Sequence, residues 1–399
     1  MARAILTALG AAALVYALVV TWRQNERAAG LDFYIYFVNS QLPGRADVEN
    51  IYDAGVQSRI GEEYYERAQR GTSELRKYDA QRRRFVDSVS SPFLYTTLAW
   101  VSRDYEFALL QDHVLLLTAF VVGFLLLARR VGLSWPSSLF LLAALLLWYR
   151  GFEADLRVGN VNSLQLLALS GALVSPPLVA GAICGMLILF KPNLILVPVL
   201  LAVSRAATRD WPRLKREVLG GAIGAAIALV AAAINYGTLK IWLQWLARAN
   251  EFYHRLPTRT ERNVTPALAL FHEYGAWPSY ALAALLTAVT VIAIWRAKRR
   301  DDVLVIGLAI MIYLLSATVV WLHYMVLVLV IALALMRHRV TAAVALLALT
   351  AIAEEPIEML THLPVYPNDA KFIGPAFVAL FVAAIWLLLR RSDPDPATP

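Results

Sequence analysis

Leu31-Asp32-Phe33-Tyr34-Ile35-Tyr36-Phe37 follows closely on the first apolar segment of the chain and sets one carboxylate among aromatic side chains. If residues 4–22 cross a membrane, that carboxylate stands where bilayer meets water, as an anchor or as a reactive group, and Phe33, Tyr34 and Tyr36 read as the interface that holds it at that depth. The apolar run reaches roughly the 20 residues that a span requires. It has no obvious small-residue cleavage site before Trp22, so it reads as a retained first helix rather than a signal peptide.

The rest of the chain supports a membrane reading. Its 399 residues are 59% hydrophobic with a mean hydropathy of +0.57, and the apolar residues come in long blocks. This is the composition of a polytopic, all-α membrane protein. The formal charge of +8 sits mostly in short loops between those blocks, where it reports topology. Nucleic acid is therefore not an expected partner. Cys184 is the single cysteine, so no disulfide forms within the chain.

Runs near the spanning length predict helices at about 4–22, 107–128, 134–149, 161–174, 177–190, 192–206, 217–235, 278–296, 303–321, 323–336, 339–354 and 372–389. The expectation is a single domain over 1–399, a bundle of about twelve transmembrane helices. Basic residues mark every second loop: Arg129-Arg130, the run 205–216, 296–300, Arg337 with Arg339, and Arg390-Arg391. Because Lys and Arg resist translocation, these loops and both termini are expected in the cytoplasm, with 391–399 a cytoplasmic tail. The segments 23–106, 150–160, the turn at Lys191, 236–277, the turn at 321–323 and 355–371 fall outside.

Segment 23–106 nearly balances its acidic and basic residues, and 60–86 is helix-prone, so it reads as a folded extracytoplasmic loop. In 236–277, Ile241, Trp242, Trp245, Leu246 and Phe252 recur at helical spacing with Lys240, Arg248 and Arg255 offset. That pattern predicts an amphipathic helix lying on the outer leaflet.

With this topology the unusual polar residues collect at one face: Asp32; Asp104, Glu106, Asp112 and His113; Arg150, Glu153, Asp155, Arg157, Asn160 and Asn162; Lys191; His323; Glu354 and Glu355. An ionisable group at membrane depth costs about 2.5–3.5 kcal/mol on insertion scales, so a one-sided cavity is the simplest reason for the cluster. Plainer readings stand beside it. Asp32 can cap a helix, Lys191 can snorkel from a helix end, and His323 can belong to an aromatic belt. Residues 150–157 can form a solvated loop, Arg82 to Arg84 a solvated helix face, and Asp112 and His113 can bond to neighbouring helices.

No Walker loop, GxGxxG, HExxH or GxSxG is present, so a nucleotide donor has no visible site. A cavity-facing carboxylate, cations able to hold a phosphate and a membrane able to hold a lipid fit group transfer from a lipid phosphate. The rival reading is a multi-pass transporter or flippase, for which about twelve helices is a familiar size. It would place polar groups near the midplane. A non-catalytic lipid-binding subunit is the other alternative.

Several short motifs also resemble family-87 glycosyltransferases of the GT-C class. They are Asp32-Phe33-Tyr34-Ile35-Tyr36 followed by Pro43-Gly44 and Ile51-Tyr52-Asp53, then Phe93-Leu94-Tyr95 with threonines Thr96-Thr97 where the family has prolines. Val158-Gly159-Asn160-Val161-Asn162 resembles a Gly-Gln-x-Asn motif with Asn160 in the Gln position, Phe190-Lys191-Pro192-Asn193 resembles a Lys-Pro turn, and Trp321-Leu322-His323-Tyr324 a His-Tyr step.

The resemblance implies a GT-C-like bundle transferring a sugar, mannose or a related hexose, from a polyprenyl-phosphate donor to a hydroxyl of a lipid or glycan acceptor. It implies inversion with Asp32 as general base, at the extracytoplasmic face of the cell membrane. Lys191, His323 and Arg157 are then the candidates for the donor phosphate. Tyr34, Asn160, Asn162, Glu354 and Glu355 are candidates for the sugar or acceptor, and the Trp242 and Trp245 helix for the prenyl tail. This reading calls for no metal, no cofactor and no nucleotide.

Overall fold

A computed structural model of the chain describes residues 1–255, 265, 277–297, 300–353 and 369–390. The regular structure among these residues is helical, with no strand. The chain opens with α1 (Ala2–Asn25), followed by α2 (Leu31–Ser40), α3 (Ala54–Gln69), α4 (Glu74–Arg82) and α5 (Pro92–Thr97). Then come α6 (Tyr105–Arg130), α7 (Trp135–Trp148), α8 (Arg150–Val158), α9 (Asn162–Val174) and α10 (Pro177–Phe190). A 3-10 turn at Pro192–Leu194 leads to α11 (Leu196–Thr208), α12 (Trp211–Tyr236), α13 (Lys240–Arg255), α14 (Trp277–Arg296) and α15 (Asp302–Ser316). A second 3-10 stretch, Leu322–Leu327, precedes α16 (Val328–Leu335), α17 (Arg339–Ala353) and α18 (Asp369–Leu389).

Four helices, α1, α6, α12 and α14, are long and apolar enough to cross a membrane, and the other apolar helices are shorter. The chain is thus an all-helical membrane protein. Its turns are set by local chemistry. The side chains of Asp53, Ser73, Ser91, Asp104 and Ser134 accept from backbone N–H groups at the starts of α3, α4, α5, α6 and α7 and satisfy donors that a helix leaves open. Helix α10 lies backbone to backbone on α12: a Cβ at Gly185 would stand 2.1 Å from the Gly221 carbonyl oxygen, and one at Gly224 2.0 Å from that of Ala182. Small residues permit this approach, and it fixes the end of α10 where Lys191 follows.

Several expectations change. Residues 150–160 hold helix α8 rather than a plain loop, because Phe152, Asp155 and Leu156 recur on one side and are buried. The helix expected over 303–321 ends at Ser316, where Ala317 turns extended. The helix expected from 217 begins at Trp211, capped by Asp210, which accepts from Arg213 N.

Two more expectations change in their surroundings. The aromatic run after Asp32 is not an interfacial surface: every residue from Phe33 to Ser40 is buried, since α4, α5, α6 and α8 all pack on α2. In α13, Trp242 and Trp245 face the protein, donating their indole N–H groups to the carbonyls of Leu229 and Val89. The outward apolar side is instead Leu243 and Leu246, continued by Leu239 just before the helix.

Candidate active site

Asp32 lies in the first turn of α2, whose N-cap, Gly30, has no side chain to offer as a cap. Its two carboxylate oxygens take separate partners. Arg83 donates from Nη2 to Oδ1 at 2.7 Å, and Asn160 donates from Nδ2 to Oδ2 at 2.8 Å. The Asn160 amide also reaches Tyr36 Oη at 3.4 Å. On its other side Asn160 Oδ1 accepts from Lys191 Nζ at 2.9 Å, from Val161 N at 2.8 Å and from Asn162 Nδ2 at 3.0 Å. One amide therefore couples the carboxylate to the lysine.

Asn160 is held by the turn between α8 and α9. Gly159 closes α8 in the left-handed region at φ 66°. A Cβ there would lie 2.4 Å from Phe33 Cβ and 3.0 Å from Asp112 Oδ2, so both the backbone and the close approach to α2 call for glycine. Beneath the turn, buried Asp155 accepts from Asn162 N and Nδ2 at 3.3 and 2.9 Å and from Ser163 N and Oγ at 2.9 and 2.6 Å. Val161, the residue at the N-cap of α9, supplies no side-chain bond, and Asp155 does that work from α8. Burial pushes the Asp155 carboxyl up, against those hydrogen bonds and the field of Lys191.

Lys191 caps the end of α10 and lies 4.5 Å from the centroid of the Tyr324 ring, a cation–π distance. Desolvation holds its amine below the usual lysine range, while Asp155 and Asp32 pull the other way. His323 packs 4.8 Å from the same ring, within electrostatic reach of Asp32 and Lys191. Its buried Nε2 has no hydrogen-bond partner among the described residues.

Asp32, Asn160, Asn162, Lys191 and His323 thus gather in one place. Arg157 does not join them: it is exposed on α8, and no polar contact of the cluster uses it among the described residues. Tyr34, two residues beyond Asp32 and so on another side of α2, packs its ring 5.3 Å from that of Tyr105, with its hydroxyl buried away from the cluster. Tyr36, at i+4 from Asp32, occupies the position expected for it. Glu354 and Glu355 lie outside the described residues. The carboxylate oxygens of Asp112 and Nε2 of His113 have no hydrogen-bond partner among the described residues, so these atoms do not carry the alternative reading of bonds to neighbouring helices.

Arg83 escaped the sequence reading because Arg82, Arg83 and Arg84 read as one solvated face. Only Arg83 turns inward, donating also from Nε to the Leu31 carbonyl at 3.0 Å. The available signal was Asp79, one turn earlier on α4. Asp79 is fully buried and accepts from Tyr105 Oη at 2.6 Å, and burial pushes its carboxyl up to about 6. A polar residue four positions from Arg83 thus marks the face of α4 that meets α2.

The fold and this cluster define a membrane-embedded, all-helical protein with a carboxylate, an amide and a lysine joined at its helix ends. Residues 89–320 match the profile of glycosyltransferase family 87; this is more than half of the chain, which belongs to that family. The match takes in Asn160 and Lys191, while Asp32 precedes it and His323 lies just beyond it. No curated protein and no solved structure matches the chain. As a member of family 87 it is a glycosyltransferase, with a sugar donor and an acceptor.

Proposed function

We propose that the enzyme takes its sugar, mannose or a related hexose, from a polyprenyl phosphate and passes it with inversion to a hydroxyl of a lipid or glycan acceptor. The acceptor oxygen attacks the anomeric carbon, its proton passes to Asp32, and the bond to the phosphate oxygen breaks with its electron pair leaving on the lipid phosphate. The carrying observation is the path Asp32–Asn160–Lys191: a base and a cation fixed by one amide, 2.8 Å from the first and 2.9 Å from the second. Lys191 faces the charge that grows on the leaving phosphate, where a fixed cation in a water-poor site is most effective, and His323, which burial keeps neutral, is a hydrogen-bond donor to the same group. Asn162 supports Lys191, at 3.4 Å.

The basic-loop pattern orients the single domain with both termini in the cytoplasm and this cluster at the extracytoplasmic face of the cell membrane. The exposed Leu243 and Leu246 edge of α13, with Leu239 just before it, replaces its tryptophans as the surface for a prenyl tail.

The test is transfer of labelled sugar from polyprenyl phosphate by variants that insert normally. General-base help is worth about 10²- to 10⁴-fold, so Asp32→Asn is expected to lose that much of kcat. Lys191→Ala is expected to lose both donor affinity and turnover. Full transfer by both variants would refute the mechanism.

A further inference from the structure

Arg83 has no place in the reaction as described so far, yet it holds the proposed base. Its guanidinium spans the first turn of α2, bonding the Leu31 carbonyl and Asp32 Oδ1. With Oδ1 engaged by Arg83 and Oδ2 by Asn160, an acceptor hydroxyl has to share or displace one of these partners to come within hydrogen-bond reach of the base. Static pairing through the whole cycle would therefore work against the role proposed for Asp32.

The surroundings of Arg83 favour movement of the side chain without movement of the helix. It stands at the C-cap of α4 in a non-helical conformation, and its backbone N–H donates to the Asp79 carbonyl at 2.9 Å. Asp79 is itself pinned to Tyr105. The α4 backbone thus has its own anchor, while among the described residues the guanidinium hydrogen-bonds at the start of α2. Its side chain is 32% exposed and that of Asp32 22%, so the pair opens to solvent at the mouth of the cluster. The other groups facing Asp32 are neutral Asn160 and Tyr36, with Lys191 and His323 at longer range. Arg83 is the cation in direct contact with it. A guanidinium accepts two oxygens of a phosphate in its planar fork, and a donor phosphate near Lys191 competes for it.

We propose that Arg83 is a donor-responsive counter-ion: without donor it caps Asp32, and the anionic phosphate draws its guanidinium away and releases the carboxylate to act as base. This rests on the Asp32 and lipid-phosphate reading above, and it adds a way to keep the base silent until a donor is present.

The experiment is a double-mutant cycle on binding of polyprenyl monophosphate, the sugar-free product, so that no turnover is needed. An exposed ion pair is worth up to about 1 kcal/mol. Asp32→Asn is therefore expected to tighten binding up to about fivefold by freeing Arg83. In an Arg83→Gln background binding is weaker, and the same Asp32 change gives a smaller gain. Equal gains in the two backgrounds would mean that removing a negative charge acts through the general field alone, and would overturn the proposal. So would an Arg83→Gln enzyme with unchanged donor KM and equal or higher kcat, the behaviour of an arginine that only restrains the base.

Arg83→Lys keeps the charge without the fork and is expected to fall between. It replaces Arg83→Gln in the cycle if melting shows that the glutamine variant does not fold. Should Asp32→Asn retain full transfer, the general-base reading fails, and the binding cycle still decides whether Arg83 answers to phosphate.

Discussion

Asn160 shows how much of the site depends on the polarity of one amide. Its N–H group points at Asp32 and its oxygen at Lys191, and a neutral amide supplies the donor that the carboxylate needs and the acceptor that the ammonium needs. Asn160→Asp replaces the donor with an acceptor and sets a second carboxylate against Asp32, and like charges at that distance disfavour ionisation of both. Transfer is expected to fall at least about tenfold, with the acid limb of the pH profile of kcat/KM moved upward. Asn160→Gln, the residue type of the motif this stretch resembles, keeps the polarity and is expected to retain more activity. Labelled-sugar transfer across a pH series separates the two. At this scale Asp32, Asn160, Asn162, Lys191 and His323 were legible, because each is a polar residue that an apolar helix end does not need. Tyr36 was passed over for Tyr34 because helical phase decides between them, and the run had been read as a flat interface.

Whole elements were legible wherever apolar length alone defines them, as in α10, where expectation and structure agree at 177–190. They were not where amphipathicity is short. Helix α8 spans nine residues, too few for a periodic signal to stand out from a charged loop, and its purpose is clear only once Asp155 is seen to cap α9. The pairing of α10 with α12 was also missed, although Gly181 and Gly185, and Gly220 and Gly224, carry the four-residue spacing of close helix contacts. That pairing predicts a coupled defect. A methyl at Gly185 meets the Gly221 carbonyl oxygen at 2.1 Å and Ala225 N at 2.9 Å, backbone atoms that cannot rotate away. Overpacking of this kind costs about 1–3 kcal/mol. Gly185→Ala is expected to lower thermal stability in detergent and to raise donor KM, since α10 ends at Lys191. Gly171→Ala is the control, with only Ile183 Cδ1 near, at 3.9 Å, and is expected to change neither.

Across the whole molecule, charge was read as a sign of topology and not as structure. Arg205 and Arg213, taken as loop markers, lie in a paired cluster: Arg205 donates to Asp302 at 2.6 and 2.7 Å and to Glu217 at 3.1 Å, and Arg213 bonds both carboxylates at 2.8 Å. Composition shows only the excess of positive residues; which of them are neutralised depends on α11, α12 and α15 meeting. This cluster and the Asp32 cluster stand at opposite ends of α11, a 13-residue helix spanning about 20 Å at 1.5 Å per residue. The proposed orientation puts the bilayer between them, and that separation can be measured. In a Cys184→Ser background, which removes the one native thiol, Gln81→Cys on the exposed side of α4 and Thr208→Cys at the exposed end of α11 serve as single reporters. A membrane-impermeant maleimide is expected to label position 81 in intact cells and position 208 only after the membrane is opened. The reverse pattern would invert the orientation and place the transfer site on the cytoplasmic side. Labelling of both in intact cells would mean that α11 does not separate two compartments, and the basic residues beside it would then report the ion cluster rather than the cytoplasm.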